Sequence, residues 1–103
     1  MAWHQVARAD ELEHEEAFPV TVGKTLIALT RVGDQIYGTS NVCTHQFALM
    51  TDGFVEDGCI ECPLHQAKFD LATGERKEGP ECEDLETYPV KVEDGLVYVE
   101  CKE

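Results

Sequence analysis

Apolar and polar residues alternate in short runs along this chain, with turn signals at close intervals and no sustained helical period. Trp3-His4-Gln5-Val6 reads as a first short strand. Asp10 to Glu13 reads as one helical turn with Asp10 as its N-cap. Phe18 to Val22 is a second strand, and Gly23-Lys24 turns it into the mostly apolar Thr25 to Thr30. Gly33-Asp34 is the next turn, and Gln35 to Thr39 returns antiparallel. Asp57-Gly58 separates Phe54-Val55-Glu56 from Cys59-Ile60-Glu61, a two-residue hairpin signal because both central positions tolerate positive φ. Phe69 leads into a turn at Leu71 to Gly74, and the charged stretch 75–84 reads as a loop. Thr87 to Val92 and Leu96 to Cys101 form a last hairpin across Asp94-Gly95, with Val90 and Val92 alternating against Lys91 and Glu93. The pattern predicts an all-β antiparallel fold, and 103 residues suffice for one small domain, 1–103.

Two segments interrupt the strands with chemistry. Cys43-Thr44-His45 and Cys62-Pro63-Leu64-His65 are separated by sixteen residues. Two Cys/His pairs at this distance suit a 2Fe–2S cluster whose thiolates take one iron and whose imidazoles take the other. A thiolate is soft and anionic and favours ferric iron; a neutral imidazole withholds that charge, so the mixed set accepts an electron more readily than four thiolates. The Asp57-Gly58 hairpin lies between the two pairs and would bring the bases of their loops side by side. A Cys₂His₂ zinc site uses the same donors, although zinc modules more often pair C-x₂₋₄-C with H-x₃₋₅-H. Cys59-Ile60-Glu61-Cys62 matches a C-x-x-C dithiol, but Pro63 follows directly and no helix begins there. Cys59, Cys82 and Cys101 stand outside the motif as reduced, semi-buried or spare residues. Five cysteines, an odd number, argue against a disulfide framework.

Charge narrows the partners. With 21 acidic against 8 basic residues the formal charge is −13, which disfavours nucleic acid and anionic membrane and suits a basic protein partner. No apolar run approaches the roughly 18 residues of a spanning helix, and Met1 to Gln5 lacks a signal-peptide pattern. The expectation is a cytoplasmic monomer that does not engage a membrane. Outside the motif only His4 and His14 remain, read as solvated surface residues, with no scaffold for a catalytic iron triad. The chain also lacks a G-x-G-x-x-G dinucleotide fingerprint. The expectation is a protein that is not itself an enzyme.

The motif and its surroundings resemble the Rieske ferredoxins of bacterial aromatic-ring-hydroxylating dioxygenase systems. The likeness rests on Asn41-Val42-Cys43-Thr44-His45, Asp52-Gly53-Phe54, Glu61 to His65, Phe69-Asp70, Thr73-Gly74, Pro80 and Thr87 to Val90, in order along most of the chain. The resemblance implies an antiparallel β-sandwich with a small cluster-binding subdomain over about 41–82. It implies one Rieske 2Fe–2S cluster, with Cys43 and Cys62 on the inner iron, His45 and His65 on the outer iron, and Pro80 in a loop covering the cluster. It also implies a one-electron carrier between an NAD(P)H-dependent flavin reductase and a terminal oxygenase. A second reading is an electron-transfer subunit of another oxidoreductase complex, such as a nitrite-reductase-type small subunit. Phe47, Leu49 and Leu64 would form an apolar contact patch at the tip. Respiratory relatives carry an extra cysteine in each ligand loop, where this chain has Ala48 and Leu64, so that disulfide cannot form. They also place serine and tyrosine hydroxyls where this chain has Ala67 and Phe69, so a potential near the low end of the Rieske range, about −150 mV, is expected. Gln66-Ala67 stands where many relatives have a glycine, which narrows that loop's backbone choices.

Overall fold

The computed structural model describes residues 2–42, 48–63, 67–79 and 83–101. Among these residues eleven short strands are found: β1 (Ala2–Arg8), β2 (Ala17–Val22), β3 (Thr25–Val32), β4 (Gln35–Ser40), β5 (Phe54–Glu56), β6 (Cys59–Glu61), β7 (Lys68–Asp70), β8 (Arg76–Glu78), β9 (Thr87–Tyr88), β10 (Val90–Glu93) and β11 (Leu96–Cys101). They form three antiparallel sheets, ordered β1-β11-β10, β2-β3-β4-β9 and β5-β6-β7-β8.

Two-residue hairpins form where the sequence places Asp-Gly. Asp57 and Gly58 have φ of 52° and 76°, and Asp94 and Gly95 have 52° and 75°, the paired positive values that match strand twist.

The sheet β2-β3-β4-β9 is the middle layer. Because side chains alternate across a strand, β3 buries Ile27 and Leu29 on one face and Ala28 and Thr30 on the other. The first face meets Val97, Val99 and Cys101 of β11 in one apolar cluster, joined by Val20, Val22 and Leu12. On the other side Ala17, Val32 and Tyr37 floor a second cluster of Met50, Ile60, Cys62, Ala67, Phe69, Leu71 and Leu85. Full burial of a large apolar side chain contributes about 1.5–3 kcal/mol, so Phe69 and Ile60 anchor the small β5–β8 sheet against this floor.

The structure departs from the sequence pattern at four places. The helical turn is a 3₁₀ turn at Ala9–Glu11, one residue early, and its cap is Arg8, whose backbone N–H donates to Glu11 Oε1 at 2.8 Å. The stretch 75–84 is not all loop: Arg76–Glu78 pairs with β7 across a bulge. Thr87 to Val92 is not one strand, since β9 pairs with β4 and β10 with β11, on either side of Pro89. His4 is half-buried, with its Nε2 enclosed and lacking a hydrogen-bond partner among the described residues. His14 is exposed as expected, and its Nδ1 accepts the Gly33 N–H at 2.9 Å.

Candidate metal centre

The strands that bracket the two Cys/His segments hold both loop mouths shut. After β4, Asn41 is nearly fully buried and uses every polar group it has. Its backbone N–H donates to the Leu26 carbonyl at 2.9 Å, and its carbonyl accepts the Met50 N–H at 2.7 Å. Its Oδ1 accepts the Thr51 N–H at 2.9 Å, and its Nδ2 donates to Thr51 Oγ1 at 3.3 Å. Val42 and Leu49 form an antiparallel bridge just beyond. The chain therefore leaves and re-enters the fold at one pinned point, and a 3₁₀ turn at Met50–Asp52 continues toward β5.

The second mouth is an extension of a hairpin. Glu61 pairs with Lys68, and the Cys62 N–H then donates to the Ala67 carbonyl at 2.9 Å. Cys62 and Ala67 are both fully buried beside Met50 and Phe69. The two mouths adjoin at Gly53, where a Cβ would run into the Glu61 carbonyl and crowd Pro63. The hairpin between the ligand segments thus does bring their bases together. A third segment closes the same layer: the Leu85 N–H donates to the Gly74 carbonyl at 2.7 Å, and Leu85 is buried under the small sheet.

Of the four expected ligands, Cys62 is placed at the loop mouth and buried, while Cys43, His45 and His65 lie outside the described residues. Phe47, Leu64, Gln66, Pro80 and Cys82 lie outside them as well. Leu49 is partly exposed beside the first mouth. Ala67 and Phe69 are fully buried within the cluster that holds Cys62, so neither position offers a hydroxyl there.

Cys59 and Cys62 do not act as a dithiol. Cys59 is paired with Glu56 and Asp70 on the outer face of the small sheet, whereas Ile60 and Cys62 are buried on the inner side. Partial burial and the nearby Asp70 carboxylate push the Cys59 thiol up from its ordinary value. Cys101 is buried in the other cluster, against the floor's opposite face. Asn41 is the residue that spacing alone does not single out; its signals are its place two residues before Cys43 and its part in the family-like run Asn41 to His45.

No helix among the described residues is long and apolar enough to cross a membrane. The chain is 39% identical to the anthranilate 1,2-dioxygenase ferredoxin subunit of Burkholderia cepacia, over 94% of this chain and 90% of that protein. It is 45% identical to the ferredoxin component of the naphthalene 1,2-dioxygenase/salicylate 5-hydroxylase systems of Ralstonia sp, over 92% and 91%. The solved Sphingomonas yanoikuyae B1 ferredoxin superposes with a TM-score of 0.91 at 33% identity, covering 98% of this chain and 100% of that one. A solved complex of reduced oxygenase and oxidized ferredoxin in carbazole 1,9a-dioxygenase matches with a TM-score of 0.88 at 36% identity, over 94% and 91%. Residues 2–89 match the Rieske [2Fe-2S] domain. By that match and by these relatives, the chain belongs to the Rieske [2Fe-2S] domain family as a ferredoxin of the dioxygenase-system type.

Proposed function

We propose that this chain is a single Rieske domain over 1–103 that shuttles single electrons from an NAD(P)H-dependent flavin reductase to a terminal aromatic-ring-hydroxylating oxygenase. The observation that carries this reading is near full-length similarity to ferredoxin components, at up to 45% identity among the relatives above, on a fold whose two loop mouths meet beside a buried Cys62.

In this reading Cys43 and Cys62 hold one iron and His45 and His65 the other, within a cluster-binding subdomain over about 41–82. Among the described residues, Cys62 fits such a group. Cys62 supplies a soft donor inside an apolar cluster, which excludes water from the sulfur side. Asn41 pins the mouth of the first loop, the Cys62–Ala67 hydrogen bond closes the second, and Gly53 lets the two mouths adjoin. When bound, a cluster with two thiolate and two neutral imidazole ligands takes up and releases one electron at a higher potential than an all-thiolate cluster.

The carrier itself catalyses no bond change; it docks, gives its electron and leaves, as a cytoplasmic monomer. The acidic excess steers it toward basic partners. Likenesses to nitrite reductase small subunits stand at 23–24% identity and carry the fold alone.

Low-temperature EPR of the dithionite-reduced protein, with iron and zinc analysis, tests the reading. A rhombic signal with average g below that of all-cysteine clusters and two irons per chain is the expected result. A colourless, EPR-silent protein with one zinc overturns it.

A further inference from the structure

The outer face of the β5–β8 sheet carries an exposed aromatic ring among carboxylates. Phe54 is 67% exposed, the most exposed large hydrophobic residue among those described. Register puts Glu61 directly opposite it, with Glu56 two residues along β5 on the same face. Phe54, Glu56, Cys59, Glu61 and Lys68 line one shallow cleft of about 260 Å³.

The charges on this face are unevenly matched. Lys68 is the cation in the cleft, and its ammonium is held by Glu78 at 3.5 Å on the far side. Neither Glu56 nor Glu61 has an ion-pair partner within 4 Å among the described residues. Glu56 and Glu61 feel Lys68 only at longer range than Glu78 does, so the cleft offers a π face and two carboxylates without a close ion pair, a set that matches a planar, delocalised cation. A second copy of this chain is a poor occupant, because it would bring like charge at −13 per chain. The cleft also adjoins the redox end, since Glu61 leads straight into Cys62.

We propose that this face docks an arginine-bearing basic surface of a protein partner, with a guanidinium stacked on Phe54 and its N–H groups donating to Glu56 and Glu61. The proposal rests on the carrier reading and says how such a carrier is oriented: one flank of the small sheet is seated, which turns the adjoining loop mouth at Glu61 and Cys62 toward the partner.

The probe is a gold electrode coated with a guanidinium-terminated alkanethiol layer, compared with an ammonium-terminated layer. Holoprotein retained on each is weighed by quartz microbalance and its redox wave recorded on the same surface. The guanidinium layer is expected to retain more protein. Phe54→Leu, which keeps an apolar side chain but removes the ring, is expected to lower retention on that layer about two- to fivefold. Phe54→Trp is expected to raise it, and Glu56→Gln to lower it more than Glu13→Gln, a remote change of equal charge. The proposal is overturned if Phe54→Leu leaves the preference for guanidinium intact, or if Glu13→Gln acts as strongly as Glu56→Gln. Mass retained without a redox wave would count against the carrier reading while still scoring the docking face, so the two failures separate.

Discussion

Asn41 and Thr51 are joined twice, by the Thr51 N–H to Asn41 Oδ1 at 2.9 Å and by Asn41 Nδ2 to Thr51 Oγ1 at 3.3 Å. Nine residues of chain, including the first Cys/His pair, lie between them. Replacing the Asn41 side chain leaves the partly buried Thr51 N–H and Oγ1 without their partner, while the Asn41 backbone bonds to Leu26 and Met50 remain. Removing one partner of a buried hydrogen bond costs about 1–3 kcal/mol. Asn41→Ala is expected to lower the melting temperature by several degrees and to speed bleaching of the visible cluster bands. A variant that melts and bleaches like the parent would show that the clamp holds nothing.

Gly53 sets how closely the two loop mouths approach. Its φ of −96° is open to any residue, so the constraint is steric, and the Glu61 carbonyl occupies the space of a Cβ. Gly53→Ala is expected to cut iron content and stability together. Gly58→Ala meets open space at a φ of 76° and should cost only about 1 kcal/mol of backbone strain, with iron content unchanged. Iron analysis and urea titration of the pair decide the matter; equal iron loss in both would contradict the steric account.

The cysteines should separate by role. Cys62→Ser is expected to abolish the visible and EPR spectra and to destabilise the second apolar cluster. Cys101→Ala, in the other cluster, is expected to keep both spectra and cost about 1–2 kcal/mol. Cys59→Ser, on the outer face, should keep the spectra at little cost. An unchanged spectrum in Cys62→Ser would overturn the ligand assignment.

Much of the fold was legible because local chemistry and pairing agree. The Asp57-Gly58 and Asp94-Gly95 hairpins fall where the dipeptides place them. What was not legible depends on partners distant in sequence. Arg76-Lys77-Glu78 has no strand propensity of its own and becomes a strand because β7 offers an edge. Pro89 cannot donate to a ladder, and the chain changes sheet there, yet its neighbours Thr87-Tyr88 and Val90 read as one β run. At the site, donor types and their spacing are local and readable, whereas the Asn41 clamp reaches across to Leu26 and Thr51. Exposure of Phe54 follows from which face of the small sheet packs on Tyr37 and Val32, and alternation in three-residue strands does not say which face that is.

The potential should sit low for this class. Phe69 is fully buried in the cluster around Cys62 and has no hydroxyl, and Ala67 likewise donates nothing to sulfur. Protein-film voltammetry is expected to give a midpoint of about −150 mV. A midpoint above zero would mean that other donors tune the sulfurs.

Stability should fall in strongly alkaline solution partly through Tyr88. Burial, then the Glu86 carboxylate, pushes its phenol from 10.0 up to about 12. A raised folded value means the native state holds the proton longer than the unfolded chain. Its contribution is therefore fully present below pH 10 and is lost as pH climbs from 10 toward 12. Urea midpoints measured across that window should drop more steeply in the parent than in Tyr88→Phe. Parallel curves would exclude Tyr88 as a source.

Strands β4 and β9 lie side by side, with Thr39 opposite Thr87 and the Ser40 N–H donating to the Glu86 carbonyl at 2.8 Å. Everything between, residues 41–86, departs and returns through one doorway in an otherwise continuous sheet. In topological terms residues 41–86 are an insert whose two ends sit on neighbouring strands. Its ends are already joined by the host, so lengthening or exchanging the insert incurs little added loop-closure entropy. The insert can change length without rethreading the remaining strands, provided it still covers Ala17, Val32 and Tyr37 of the floor.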